Sequence, residues 1–309
     1  MTADHARDRI RAVMPWWAKG ALKLSLSRIP ISYHVRRRLM LAHHGAMTQP
    51  AYAHDVFRRH FDAAAFHRKD SGGFTAMELG PGDSLFSAVV AKAHGASATS
   101  LVDVGRFASD DVELYRKMAA YLCDRGLPAA PDLRSARTMD DVAAACGLTY
   151  ATDGLAALRR LPDASIDFTY SNAVLQAVRR DEFLPTLKQL RRLTHPAGCN
   201  VHSIDLRDMM ALSLNHLRFS PGMWESNLIR QSGFYTNRLR LAEIIQNCDE
   251  AGFTSEISEL NQWPALPVNR RRLARPYRDM PDEELRTKTI RIVLRPRANV
   301  AATTSEVAS

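Results

Sequence analysis

Cysteine is scarce in this chain of 309 residues. The four present, Cys123, Cys146, Cys199 and Cys248, are dispersed, and no pair has redox or metal-ligand spacing. That argues against a disulfide-stapled scaffold and fits a reducing compartment. Long apolar runs are also missing: none reaches the roughly eighteen residues that a membrane-spanning helix needs. Asp and Arg stand near the N-terminus where a secretory signal would carry its apolar core, so a cytoplasmic location is expected. Zinc-finger spacing, an RNP-type aromatic motif and a helix-turn-helix signal are all lacking. No nucleic-acid partner is expected, although the formal net charge is +9. The clusters Arg36-Arg37-Arg38 and Arg270-Arg271-Arg272, with Arg275 and Arg278, read either as a solvated basic face or as a surface for an acidic partner.

What the chain does have is one strongly punctuated stretch, residues 74–84, Phe-Thr-Ala-Met-Glu-Leu-Gly-Pro-Gly-Asp-Ser. An apolar run over 74–79 with an acid near its end, Glu78, predicts a buried strand. Gly80 and Gly82 flank Pro81, and an apolar helical pattern opens at Leu85. The order reads as strand, tight turn and helix N-terminus. Glycine permits positive φ and lets a ligand lie against bare backbone. Asp83 or Ser84 is expected to cap the new helix. The dinucleotide fingerprint needs a small residue at its sixth place. Counting from Gly80, that place is Leu85, and Glu78 would repel a pyrophosphate. A nicotinamide-dependent oxidoreductase is therefore the weaker alternative. Glu78 suits a ligand with a cationic centre.

The run from Glu78 to Ser84 resembles motif I of class I S-adenosylmethionine (SAM)-dependent methyltransferases. The resemblance implies SAM as cofactor, with its sulfonium and α-amino group. It continues downstream. Residues 100–104 predict a second strand, and Asp103 lies about twenty residues past the glycine turn, where an acid accepts both ribose hydroxyls. Phe107 is placed to stack beside the adenine or to pack in the core. Residues 149–151 predict a third strand, and Asp153-Gly154 follows where the family often holds the adenine amino group. Leu161-Pro162-Asp163, leading into residues 165–172, resembles motif IV, with Asn172 offered to the methionine portion. The implied cofactor-binding set is Glu78, Gly80, Pro81, Gly82, Ser84, Asp103, Asp153, Gly154 and Asn172. Many relatives continue Asn-Ala-Val-Leu-Glu-His, whereas this chain has Gln176 and Ala177, so a base at that histidine is missing.

Residues 181–193 predict a helix, Pro196-Ala197-Gly198 a turn, and 199–205 a fifth strand. Methylation of an alcohol needs a proton acceptor, and His202, Asp205, Asp208 and His216 are the catalytic candidates expected near the cleft rim. Their structural alternatives are a satisfied core histidine and a salt bridge or helix cap with Arg207 or Arg218. Asp205 and Asp208 could supply oxygens to Mg²⁺, but no third ligand pairs with them and no metal is assigned. Tyr235, Asn237, Arg238, Arg240 and Trp263 are expected to line the acceptor pocket, because Trp stacks on sugar faces and Arg pairs with phosphate or carboxylate. Residues 205–208, 215–220 and 235–238 resemble a bacterial methyltransferase group often associated with glycan or lipopolysaccharide gene clusters. That likeness implies O-methylation of a saccharide or glycolipid hydroxyl, and so a small-molecule or glycan acceptor as partner. A degenerate fold that binds SAM without turnover is the alternative from another class.

The expected fold is α/β: a Rossmann-like, mostly parallel seven-stranded sheet with an antiparallel last strand, plus an N-terminal helical extension. The boundaries read as 1–68 for the extension or lid, 69–295 for the methyltransferase domain and 296–309 for a disordered tail. Trp16, Trp17 and Leu22 beside Lys19 and Lys23 make the extension either a lid or a peripheral membrane contact. Residues 262–282 predict a long basic loop. His43 and His44 read as exposed or capping histidines.

Overall fold

The computed structural model of the protein describes residues 14–28, 46–65, 73–127 and 129–297. The expectations for Arg36-Arg37-Arg38, for His43 and His44 and for the tail beyond residue 297 lie outside these residues. The first described helices are α1 (Trp16–Arg28) and α2 (Pro50–Ala64). β1 (Phe74–Leu79), α3 (Phe86–Ala93), β2 (Ala96–Val102), α4 (Val112–Asp124), α5 (Met139–Cys146) and β3 (Leu148–Ala151) form the first half of the sheet unit. α6 (Leu155–Arg160), β4 (Ile166–Asn172), α7 (Arg180–Leu193) and β5 (Thr194–Asp205) form the second. After β5 come a 3₁₀ turn (Asn215–Arg218) and the short helices α8 (Pro221–Trp224) and α9 (Asn227–Arg230). The chain ends its fold with α10 (Leu241–Glu250), β6 (Phe253–Gln262), α11 (Arg275–Arg278), α12 (Asp282–Arg286) and β7 (Thr287–Pro296).

The seven strands form one sheet in the order β3-β2-β1-β4-β5-β7-β6. β1 to β5 run parallel to one another, and β7 is antiparallel to both β5 and β6. This is a Rossmann-like doubly wound α/β fold, as the strand pattern of the sequence predicts. Alternation along each strand sends side chains to two cores. Phe74 and Ala76 of β1, Phe168 and Tyr170 of β4 and Val201 of β5 pack with Phe57 of α2, Phe86 of α3 and Met118 of α4. Met77, Leu79, Ile204 and Ile292 pack with Leu158 of α6, Leu187 and Leu190 of α7 and Ile244 of α10. Helix α2 therefore shares a core with the sheet: its Phe57 ring meets Phe168 and Tyr170 edge-on at 5.9 and 5.5 Å.

Two local expectations change. Pro196-Ala197-Gly198 is not a turn before the fifth strand but part of β5, accommodated by a register irregularity opposite Ile166–Phe168. There is no room for a side chain at Gly198, where a Cβ would stand 2.6 Å from the Asp167 carbonyl oxygen. Residues 262–282 are not a bare loop. They include a 3₁₀ turn (Arg270–Arg272) and α11, anchored through Leu273 and Tyr277 onto Leu214, Leu217 and Leu285. Helix α6 is too short for its periodicity to register in the sequence.

Candidate active site

The chain leaves β1 and β4 toward opposite sides of the sheet, so the carboxyl ends of these neighbours bound the crevice where open α/β sheets take ligands. The glycine turn sits there. Gly80 and Gly82 have φ of 66° and 67°, the left-handed region that disfavours a Cβ. At Gly80 a Cβ would also meet Val174 Cγ2 at 2.5 Å, the side chain that the β4 loop lays over the turn. The expected cap is corrected: Leu85 holds the N-cap of α3 with no side-chain bond. Ser84 instead donates to the Met47 carbonyl (2.5 Å) and ties the turn to the segment before α2.

Two carboxyls flank the turn. Glu78 faces α3 and accepts a hydrogen bond from Ser87. Burial pushes its carboxyl up to about 8, and the Asp103 charge adds to the shift. Asp103 stands just past β2. Its Oδ2 accepts from Gly82 N–H (3.1 Å) and its Oδ1 from Val104 N–H (2.7 Å). The second acid thus braces the turn. Its own carbonyl accepts from Gly154 N–H (2.8 Å), which brings the β3 tip alongside. Asp153 is exposed and paired with Arg160 at 2.5 Å. Asn172 closes β4 opposite Ser203 of β5. Phe107 lies over Gly105, with its ring 2.8 Å from where a Cβ would be.

The candidates beyond β5 separate. A narrow crevice is lined by Gln176, Asp205, His216, Thr236, Asn237 and Arg238, among others. His202 is not at the rim: it shares a sheet face with Ile204, is fully buried, and sets Nδ1 2.8 Å from Ser171 Oγ. Asp208 is also buried. It accepts from the N–H groups of Met210, Ala211, Ser213 and Asn215 and from the Asn215 amide, so it organises the loop after β5. Asp205 is half-buried and held by Arg207 in a two-pronged pair at 2.9 and 2.8 Å.

Among the expected acceptor residues, Tyr235 is committed elsewhere, donating to Glu225 at 2.9 Å and accepting from Arg180 N–H at 3.2 Å. Asn237 lines the crevice, yet its amide clasps the Leu175 and Val178 carbonyls at 2.8 and 3.0 Å. Trp263 packs with the Leu214–Leu273 cluster, away from the crevice lining. Arg240 is a staple: it donates to carbonyls of Leu206, Glu284, Leu285 and Thr287. Sequence reasoning assigned no role to Thr236 or Gln176, although the first lies within the 235–238 segment and the second just past Asn172. Helix α1 packs against this side through Trp16 on Phe219, with ring centroids 6.1 Å apart, and through Lys23 Nζ on the Met209 carbonyl at 2.6 Å. Among the described residues, no group of three or more His, Cys, Asp or Glu side chains is placed to share a metal ion, and no helix is long and apolar enough to cross a membrane.

The buried ionisable groups give a pH prediction. Burial lowers His60 to about 4, helped by Arg291 and Arg59, and His202 to about 3, helped by His60. It also holds His216 well below the usual imidazole range, with Arg240 and Arg238 adding to the effect. Each stays neutral when folded and takes a proton when unfolded. Their contribution to stability is complete above pH 6.5 and is lost as the pH falls toward the folded values. Glu78 acts in the opposite sense. Its contribution is complete below pH 4.5 and is lost as the pH rises through about 8. Stability measured by urea denaturation is expected to peak near pH 6.5. On the alkaline side it should fall by up to about 1.4 kcal/mol per pH unit. Glu78→Gln is expected to abolish the fall between pH 6.5 and about 8; an unchanged fall in that window would refute the assignment.

No family model and no curated protein matches the chain. Several solved structures share the backbone arrangement. A SAM-dependent methyltransferase from Mesorhizobium loti is 20% identical over 81% of this chain and 98% of its own, with a TM-score of 0.39. YcgJ from Bacillus subtilis is 12% identical over 79% of this chain and 99% of its own, with a TM-score of 0.44. The CurJ carbon methyltransferase is 14% identical over 79% of this chain, with a TM-score of 0.43, and the match spans only 54% of its length. Likeness at this level concerns the fold alone, which the strand order already establishes.

Proposed function

We propose that the chain is a SAM-dependent methyltransferase acting on a hydroxyl of a saccharide or glycolipid. The observation that carries this reading is the corner at the switch point, where two positive-φ glycines stand between the carboxyls of Glu78 and Asp103. Bare backbone admits close approach of a ligand, and Asp103 offers acceptor oxygens to a ribose diol. Glu78, once ionised, favours a cation in a medium that screens poorly. SAM, when bound, supplies a methyl group already activated on sulfur. The protein's remaining tasks are alignment and proton removal. Asp205 is assigned the proton from the acceptor hydroxyl, because among the candidate carboxylates it lines the crevice while Asp208 is consumed by its loop.

The test is transfer of a labelled methyl group from SAM to saccharide and glycolipid acceptors with free hydroxyls. Label in the acceptor, with equal release of S-adenosylhomocysteine, is the expected outcome. Asp205→Asn is expected to slow turnover by about a hundredfold or more, the usual contribution of a positioned base, with SAM affinity kept. SAM binding without transfer to any acceptor would favour a non-catalytic scaffold. The Arg207 clamp on Asp205 is the feature that speaks for that second reading.

A further inference from the structure

Apolar exposure is concentrated in one place. Among the described residues eight large apolar side chains are exposed. Six of them, Trp17, Leu22, Met209, Leu212, Met223 and Leu228, belong to α1 and to the segment after β5 on which it sits. Single exposed leucines need no explanation, whereas a cluster does. The two pieces are joined. Lys23 Nζ donates to the Met209 carbonyl (2.6 Å), and Met210 Sδ stands 3.0 Å from where a Cβ on Gly20 would be. Met223 and Leu228 adjoin Trp224 and Ile229, which are buried in the cluster that also takes up Trp16 and Leu24.

Helix α1 is apolar on opposite sides. At about 3.6 residues per turn, Ala18, Leu22 and Ser25 stand opposite Gly20, which is buried against Met210. That outer arc carries no charge. Leu22 is 49% exposed, and Trp17, at the edge of the arc, 62%. A helix that is apolar all round calls for a second cover. Leu212 makes the same point through its backbone. It is 59% exposed and holds a φ of 52°, where glycine and asparagine are at ease and leucine is not. The Asp208 loop imposes that conformation: its carbonyl accepts from Leu212 N–H (3.1 Å), and its carboxylate accepts from the N–H groups on either side. A strained leucine displayed to water adds nothing to the fold, and strain of this kind gathers at functional sites.

Charge decides what the cover is. Residues 14–28 carry Lys19, Lys23 and Arg28 and no acid. Arg218 stacks on Trp16, with Cζ 5.2 Å from the ring centroid, and the charge of Arg272 acts on it more strongly than that of Asp208. The acids nearby are engaged: Asp205 by Arg207, Glu225 by Arg230 and Asp282 by Arg270. A second copy of the chain would set these cations against each other. Residues 1–13 and 29–45 are themselves net basic, so the chain's own flanks are repelled as well. An anionic bilayer supplies what both features lack, an apolar interior for the side chains and phosphate headgroups for the cations. We infer that α1 and the 209–228 surface form a peripheral docking face for an anionic membrane. Trp17, Leu22 and Leu212 enter the interface, and Lys19, Arg28 and Arg272 meet the headgroups. Nothing in this face depends on SAM being the ligand of the glycine corner.

The experiment is co-sedimentation of the full chain with vesicles of phosphatidylcholine alone and of phosphatidylcholine mixed with phosphatidylglycerol. The protein should pellet with the mixed vesicles and stay in solution with the neutral ones. Raising the salt from about 0.1 M to about 1 M, which cuts the screening length from about 10 to about 3 Å, should release most of it. Leu212→Asn is the deciding variant. Asparagine accepts the left-handed backbone, so the melting temperature should hold or rise while vesicle affinity falls by about tenfold, the transfer of one part-exposed leucine. A lower melting temperature with unchanged vesicle affinity would make Leu212 a structural residue and count against the docking face. Leu22→Ser should also cost about tenfold, and Lys19→Gln about fivefold. No pelleting with the mixed vesicles, equal pelleting with the neutral ones, or affinity unchanged in all three variants overturns the inference. So does either rival cover: a dimer in sedimentation equilibrium that Leu212→Asn dissolves, or a single-stranded oligonucleotide bound where vesicles are not.

Discussion

Replacing Asp208 with alanine is expected to cost the protein about 5 kcal/mol, at roughly 1 kcal/mol for each donor left without its acceptor. The carboxylate is 1% exposed and accepts from four backbone N–H groups and one side-chain amide within the segment 210–215. No other side chain in that segment replaces both oxygens. Loss of the knot would also release the carbonyls of His216 and Phe219 that steady Arg238. Urea denaturation measures the effect. A variant as stable as wild type yet inactive would show Asp208 to be a chemical group, contrary to its role as the organiser of a loop.

Asp103→Ala is expected to weaken SAM binding by about a hundredfold or more. Two charge-assisted bonds to ribose hydroxyls are each worth about 1.5–3 kcal/mol, and 1.4 kcal/mol is about tenfold in affinity. The substitution also frees Gly82 N–H and Val104 N–H, which the carboxylate now fixes at 3.1 and 2.7 Å. Asp103→Asn should recover little. Its amide keeps one acceptor oxygen but turns a donor toward an N–H that is already a donor. Calorimetry reads the affinity, and a melting curve confirms that the variants fold.

The glycine corner was legible in the sequence because its signals are local. A strand, two glycines, a helix and an acid one β-strand further on follow one another within thirty residues of chain, and the parallel sheet brings them together by its own connectivity. The fates of His202 and Asp208 were not legible. Which face of β5 a residue occupies depends on register, and His202 falls on the face of Ile204, against Ser171. The loop that consumes Asp208 has no repeat or periodicity to announce it. The unpartnered atoms of His216, Thr236 and Arg238 come from two segments and are visible only in the folded chain. The cation–π contacts of Arg238 draw on Trp224 and Tyr277, fifty-three residues apart in sequence.

The most direct measurement is a calorimetric titration of the wild-type chain with SAM, repeated with S-adenosylhomocysteine and with NAD. One saturable site for SAM, occupied competitively by S-adenosylhomocysteine and indifferent to NAD, is the predicted result. No saturable heat with SAM into the millimolar range, or saturation by NAD in its place, would contradict a glycine corner built for a cationic sulfur ligand.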